Sequence, residues 1–124
     1  MKFRWIDFNL FTSIYTPKDK SKTYPILLQR TPYSVRPYGN EDYKTKIAPN
    51  EHLMKEGNIV VYQDVRGRWM SEGTYDNIRA YIPNKKATDV DETTDTYDTV
   101  EWLLNHIPNK YNLFFATNNT VMLF

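Results

Sequence analysis

The run Ile59-Val60-Val61-Tyr62, passing through Gln63 into Asp64-Val65-Arg66-Gly67-Arg68 and then Ser71-Glu72-Gly73, constrains this chain more than any other stretch. Apolar side chains at successive positions suit a strand buried on both faces, as in a mainly parallel sheet flanked by helices. The charged, glycine-broken loop that follows sets polar groups at the strand's carboxyl end, where open α/β sheets bind ligands. The pattern predicts an α/β sheet enzyme. A serine on a tight glycine turn further along, which such an enzyme would most need, has no candidate in the chain.

The flanking segments extend that prediction. Asn9 to Tyr15 and Pro25 to Gln29 read as strands separated by the polar segment Thr16 to Lys22, whose Pro17 ends pairing. Pro25-Ile26-Leu27-Leu28 is again apolar at consecutive positions; one edge of a small antiparallel barrel is the alternative. From Thr31 to Asn50, Pro32, Pro37, Gly39 and Pro49 prevent a long regular element, and long ordered loops often carry function. Asn50 is placed to cap a short helix through Glu51, Leu53 and Met54 to Glu56, stopped by Gly57 in a left-handed conformation. A strand from Asn58 to Gln63 follows. Strand, helix, strand is a crossover, which puts Leu28 and Val61 on parallel neighbours and brings Arg30-Thr31-Pro32-Tyr33 and Asp64 to Arg68 to one rim.

Five carboxylates lie between Asp89 and Asp98. Calcium is excluded by spacing, because an EF-hand loop needs glycine at its sixth position, here Thr94, and glutamate at its twelfth, here Val100. Acids gathered at a helix start, where the dipole favours them, fit better. That helix is expected to run to about His106, with Tyr97, Val100, Leu103, Leu104 and Ile107 as its apolar face and Pro108 beyond its end. His106 and His52 read as surface histidines.

A chain of 124 residues fits one domain able to bury roughly two-thirds of its unfolded surface. Its formal charge of +1 gives no ground for a nucleic-acid or acidic-membrane partner. Without cysteine there are no disulfides or thiolate metal sites, but the compartment stays open. No segment reads as a signal core or bilayer span, and no cofactor or metal is expected.

Thr12-Ser13-Ile14-Tyr15-Thr16-Pro17, Pro25 to Tyr33, Gln63 to Arg68, Ser71-Glu72-Gly73 and the Asp95 to Leu103 helix together resemble the CocE/NonD family. These are α/β-hydrolases related to cocaine esterase, α-amino-acid ester hydrolases and X-Pro dipeptidyl-peptidases. The resemblance covers roughly residues 9 to 108 in the family's order and spacing. It implies an α/β fold: the first half of an α/β-hydrolase, a mixed, mainly parallel sheet with flanking helices, truncated before the nucleophile elbow. Residues 1–108 would be the N-terminal part of that domain and 109–124 a divergent tail. By resemblance, Tyr33 supplies a hydroxyl to the oxyanion hole of a serine esterase or peptidase acting on a small ester, amide or peptide. Asp64, Arg66, Gly67, Glu72 and Gly73 are expected to brace a structural loop, with the opposite charges of Asp64 and Arg66 pairing inside it. Tyr38, Trp69 and Met70 are candidates for lining the substrate mouth.

The chain departs from the family in three places. Where members that select an α-amino group carry a carboxylate just beyond the oxyanion tyrosine, Ser34-Val35-Arg36 stand here, which argues against amino-acid esters. Ile6-Asp7-Phe8-Asn9 replaces an expected aspartate-glycine turn. The glycines are Gly39, Gly57, Gly67 and Gly73, and none brackets a serine at G-x-S-x-G spacing. Asn109 to Phe124 reads as a tail replacing strand and elbow, its apolar runs around Asn118-Asn119 imitating a hairpin. A triad from Ser71, His52 or His106 and an aspartate has neither order nor geometry behind it. The chain is therefore expected to be inactive alone and, with the strand containing Val60 left at an unpaired edge, to self-associate. The alternative is an aromatic-rich binding module for peptide or carbohydrate, favoured only by the 15% aromatic content.

Overall fold

Ile59–Asp64 lies at the heart of the sheet in the computed structural model, with all six residues buried. The structure describes residues 2–5, 8–38, 42–44, 47, 51–76, 80–86, 89, 91–108, 113–117 and 120–123. In chain order the elements are β1 (Lys2–Trp5), β2 (Phe8–Tyr15), β3 (Ile26–Thr31), α1 (Glu51–Glu56), β4 (Ile59–Asp64), α2 (Glu92–His106), β5 (Leu113–Thr117) and β6 (Thr120–Leu123). The strands form one sheet in the order β1-β2-β4-β3-β5-β6.

The apolar runs are explained by the two faces of this sheet. Side chains alternate along a strand, so Ile26, Leu28, Ile59 and Val61 point to the face packed by Val100 and Leu103 of α2, with Leu113 of β5 in the same cluster. Leu27, Val60 and Tyr62 point to the other, covered by Val35 and, partly buried, Ile47 and Leu53 of α1. Each fully buried aliphatic side chain contributes about 1.5–3 kcal/mol. A strand clad on both sides has no polar alternation to show.

β4 runs parallel to β3, with Val61 opposite Leu28, and antiparallel to β2, with Val60 opposite Tyr15. The crossover is therefore as expected, but the unpaired edge is not. β4 has no free edge, because β2 and β3 flank it on both sides, and Val60 is buried under the Val35 and Leu53 cover. The outermost strands are β1, where Lys2 and Arg4 alternate with Phe3 and Trp5 in a strand-like pattern, and β6. β5 lies parallel to β3, with Leu28 opposite Phe115, and β6 pairs back on it antiparallel, so the tail does form a hairpin within the sheet. Asn118-Asn119 and Ile6-Asp7 lie outside the described residues.

Gly57 ends α1 at φ +80°, and the Asn58 Nδ2 donates to Leu53 O in the last turn at 2.6 Å. The expected cap Asn50 lies outside the described residues. α2 opens on Asp91, whose carboxylate accepts from Thr94 N while the Thr94 hydroxyl accepts from Asp91 N, both at 2.9 Å. Ile82 N and Lys85 Nζ reach the same buried carboxylate at 2.9 Å. Its burial pushes the pKa up, yet these donors and the Lys85 charge outweigh that and hold it at about 2.

The apolar face of α2 differs from the expected one at its start. Val100 and Leu103 are buried, and Leu104 and Ile107 half-buried, but Tyr97 is exposed. The inward residues of the first turns are Asp95 and Thr99, which lie on an i, i+4 line with Leu103. Polar partners on the sheet draw them in.

Candidate active-site rim

Thr31 and Asp64 are opposite one another at the ends of parallel β3 and β4, so the segments after them leave the sheet at the same rim. Val65 N continues the ladder to Thr31 O at 3.2 Å. Tyr33 follows at once: its N–H donates to the Thr31 hydroxyl at 3.0 Å, and its side chain is 83% exposed. The tight turn fixes the main chain and leaves the phenol in solvent at the carboxyl rim.

Asp64 is buried beneath it. One carboxylate oxygen accepts from the Tyr38 hydroxyl at 2.7 Å and Met70 N at 3.3 Å, and the other from Val35 N at 3.2 Å. Burial raises its pKa above the ordinary value, while these donors and the Arg68 charge pull it back down. Burial likewise raises Tyr38, and the adjoining Asp64 charge adds to that rise. Tyr38 thus links the loop after Tyr33 to the end of β4, and its ring packs edge-on against Phe11 at 5.0 Å.

Arg66 does not pair with Asp64. Its Nε and Nη2 form a two-pronged contact with the Asp95 carboxylate at 2.9 and 2.8 Å, with both residues buried. A side chain two residues past Asp64 reaches α2, because Gly67 (φ +75°) and Gly73 (φ +99°) fold the loop back, with Gly67 N bonded to Glu72 O at 3.0 Å. Glu72 itself is exposed.

A second polar layer crosses the sheet. Arg30 Nε donates to Gln63 Oε1 and Arg30 Nη1 to Thr96 Oγ1, each at 2.7 Å, and Gln63 Nε2 donates to Thr12 Oγ1 at 3.0 Å. The Thr99 hydroxyl donates to Asp95 O at 2.7 Å. Sequence reading overlooked Arg30, Gln63, Asp95 and Thr99 as a network. The available signal was Gln63 and Thr12 standing in strands whose neighbours are apolar, since buried polar groups need partners.

Trp69 and Met70, expected at the mouth, are exposed at the rim. Trp69 Nε1 and Arg68 Nε both donate to Pro32 O at 3.0 Å, clamping the β4 loop to the residue before Tyr33. Tyr38 is half-buried and bound to Asp64. Ser71 is engaged on both sides: its hydroxyl donates to Asp64 O at 2.6 Å and accepts from Phe11 N at 2.8 Å. His52 is exposed on α1, and His106 is exposed and stacked on Trp102 at 4.5 Å. No triad forms from these groups. Among the described residues no His, Asp and Glu group is arranged to hold a metal ion, and no helix is long and apolar enough to cross a membrane.

A mixed sheet clad on both faces, with its polar groups gathered at the carboxyl rim of the parallel strands, matches the N-terminal portion of an α/β-hydrolase fold. The family model of the X-Pro dipeptidyl-peptidase (S15 family) matches residues 8–113, and the chain belongs to that family. Its family is thus one of hydrolases of the peptidase and ester-hydrolase type. Among solved structures it is similar to an aminopeptidase from a marine sediment archaeon, Thaumarchaeota archaeon, at 32% identity and a TM-score of 0.68, over 86% of this chain and 18% of that one. It is also similar to an α-amino acid ester hydrolase at 30% identity and a TM-score of 0.73, over 88% of this chain and 19% of the other. The chain therefore spans less than a fifth of either structure's length. No curated protein matches it significantly.

Proposed function

We infer that this chain forms the oxyanion side of the active site of a serine hydrolase acting on acyl esters, amides or X-Pro peptides through an acyl-enzyme. The observation that carries this is Tyr33: a phenol in solvent at the carboxyl rim, one residue past a clamped proline, on a main chain held by Thr31. A carbonyl oxygen brought to that hydroxyl would gain a donor as negative charge develops on it, and such a donor is worth on the order of 3 kcal/mol of barrier. The Asp64, Arg66 and Gly73 layer beneath acts as frame, since its polar atoms are spent on Tyr38, Asp95 and main-chain groups. The 124 residues contain no serine at elbow spacing, and Ser71 is committed to Asp64 O and Phe11 N, so the chain alone is inactive.

The test of the tyrosine is Tyr33→Phe in a chain continued through a G-x-S-x-G elbow. The variant is expected to lose about 100-fold in kcat with KM little changed. An unchanged kcat would remove Tyr33 from the oxyanion site.

A further inference from the structure

In the loops that carry Tyr33 and follow β4, two guanidinium groups meet one indole. Arg36 Cζ lies 5.8 Å and Arg68 Cζ 5.5 Å from the centre of the Trp69 ring, and Arg68 is also 4.9 Å from that of Tyr75. Pro32 O anchors Arg68 and Trp69 together, so the cluster is tied to the residue preceding Tyr33. Trp69 holds φ +47°, a left-handed conformation unfavourable for a bulky side chain, so the loop keeps the indole here against a local cost.

Two cations over one ring add positive charge to this part of the rim, which favours an anion there. Among the described residues no carboxylate forms an ion pair with Arg36 or Arg68. Asp64, which Arg68 influences through space, already has its oxygens on Tyr38, Val35 and Met70. Arg68 donates only its Nε to a described protein acceptor, and Arg36 is exposed. Guanidinium groups stacked on aromatic faces keep their N–H edges suited to gripping a carboxylate from two points.

We propose that Arg36 and Arg68 bind a carboxylate on the substrate whose carbonyl Tyr33 receives, making this site selective for acidic substrates. The assignment rests on the hydrolase reading for the carbonyl's position, but the carboxylate subsite is testable without turnover. It also separates this chain from the two structures it resembles, whose names describe an aminopeptidase and an α-amino acid ester hydrolase.

The experiment is an NMR titration of the 124-residue chain with N-acetylphenylalanine, its neutral amide, and phenylalaninamide, at mildly acidic pH where the last carries an ammonium. N-acetylphenylalanine is expected to bind about tenfold more tightly than N-acetylphenylalaninamide, with the advantage shrinking as salt is added. Arg36→Gln, at an exposed position, is expected to keep the fold and remove about threefold of that preference, and Arg68→Gln to remove at least as much. Equal binding of acid and amide, no binding of either, or tightest binding of phenylalaninamide overturns the carboxylate subsite. None of those results touches the kcat test of Tyr33.

Discussion

Arg66 and Asp95 form a buried, doubly bonded ion pair, 5% and 2% exposed, and removing either side chain takes from the other its two charge-assisted hydrogen bonds. Arg66→Met or Asp95→Asn is expected to lower stability by about 3–5 kcal/mol in urea unfolding, whereas replacing both by apolar residues of similar volume should cost far less. Asp91 gives a pH signature. Its folded pKa of about 2 lies below the ordinary 3.8, so its stabilisation is complete above the unfolded value and is lost as pH falls through the folded one. Asp91→Asn is expected to cost about 2 kcal/mol at neutral pH and nothing below about pH 2, read from Tm against pH. Asp64 has the opposite sign: its raised pKa contributes stability at low pH that is lost as pH rises through the folded value. Residue types at the site were legible, since Asp64, Arg66 and Tyr33 all stand at the rim. Partners were not. Sequence spacing suggested Asp64 with Arg66, but a loop folded back by glycines sends Arg66 to a helix residue 29 positions on.

At the scale of elements, the loop after β4 depends on two glycines of unequal tolerance. A Cβ on Gly67 would lie 2.1 Å from Tyr75 N and 2.4 Å from Thr74 C, both main-chain atoms that cannot swing aside. One on Gly73 would meet Arg66 Cγ at 2.8 Å, a side-chain atom able to yield at the expense of the ion pair. Gly67→Ala is therefore expected to destabilise by several kcal/mol and more than Gly73→Ala, measured by chemical denaturation of the two variants. β3, β4 and α1 could be read from apolar runs and the glycine stop, because those signals are local. The inward face of α2 could not, because what turns Asp95 and Thr99 inward is Arg66, together with the layer around Gln63, on another element. β1 and the β5–β6 hairpin depend on pairing with strands far along the chain, which no local period records.

For the whole molecule, β4 is protected at the sheet centre and the outermost strands are β1 and β6. β1 carries Lys2 and Arg4, charges that discourage edge pairing, while Tyr111 to Phe124 contains no charged residue. Self-association is accordingly expected through β6, and Val121→Lys should reduce light scattering of the purified chain at equal concentration. An unchanged signal would rule out that edge. The sheet order, the shared rim and the clad faces supply a frame that holds Tyr33 in solvent while the Ser71 hydroxyl is spent on Asp64 O and Phe11 N. The most direct measurement is hydrolysis of p-nitrophenyl acetate by the purified 124-residue chain. The account predicts no turnover above buffer; turnover that Ser71→Ala abolishes would contradict it.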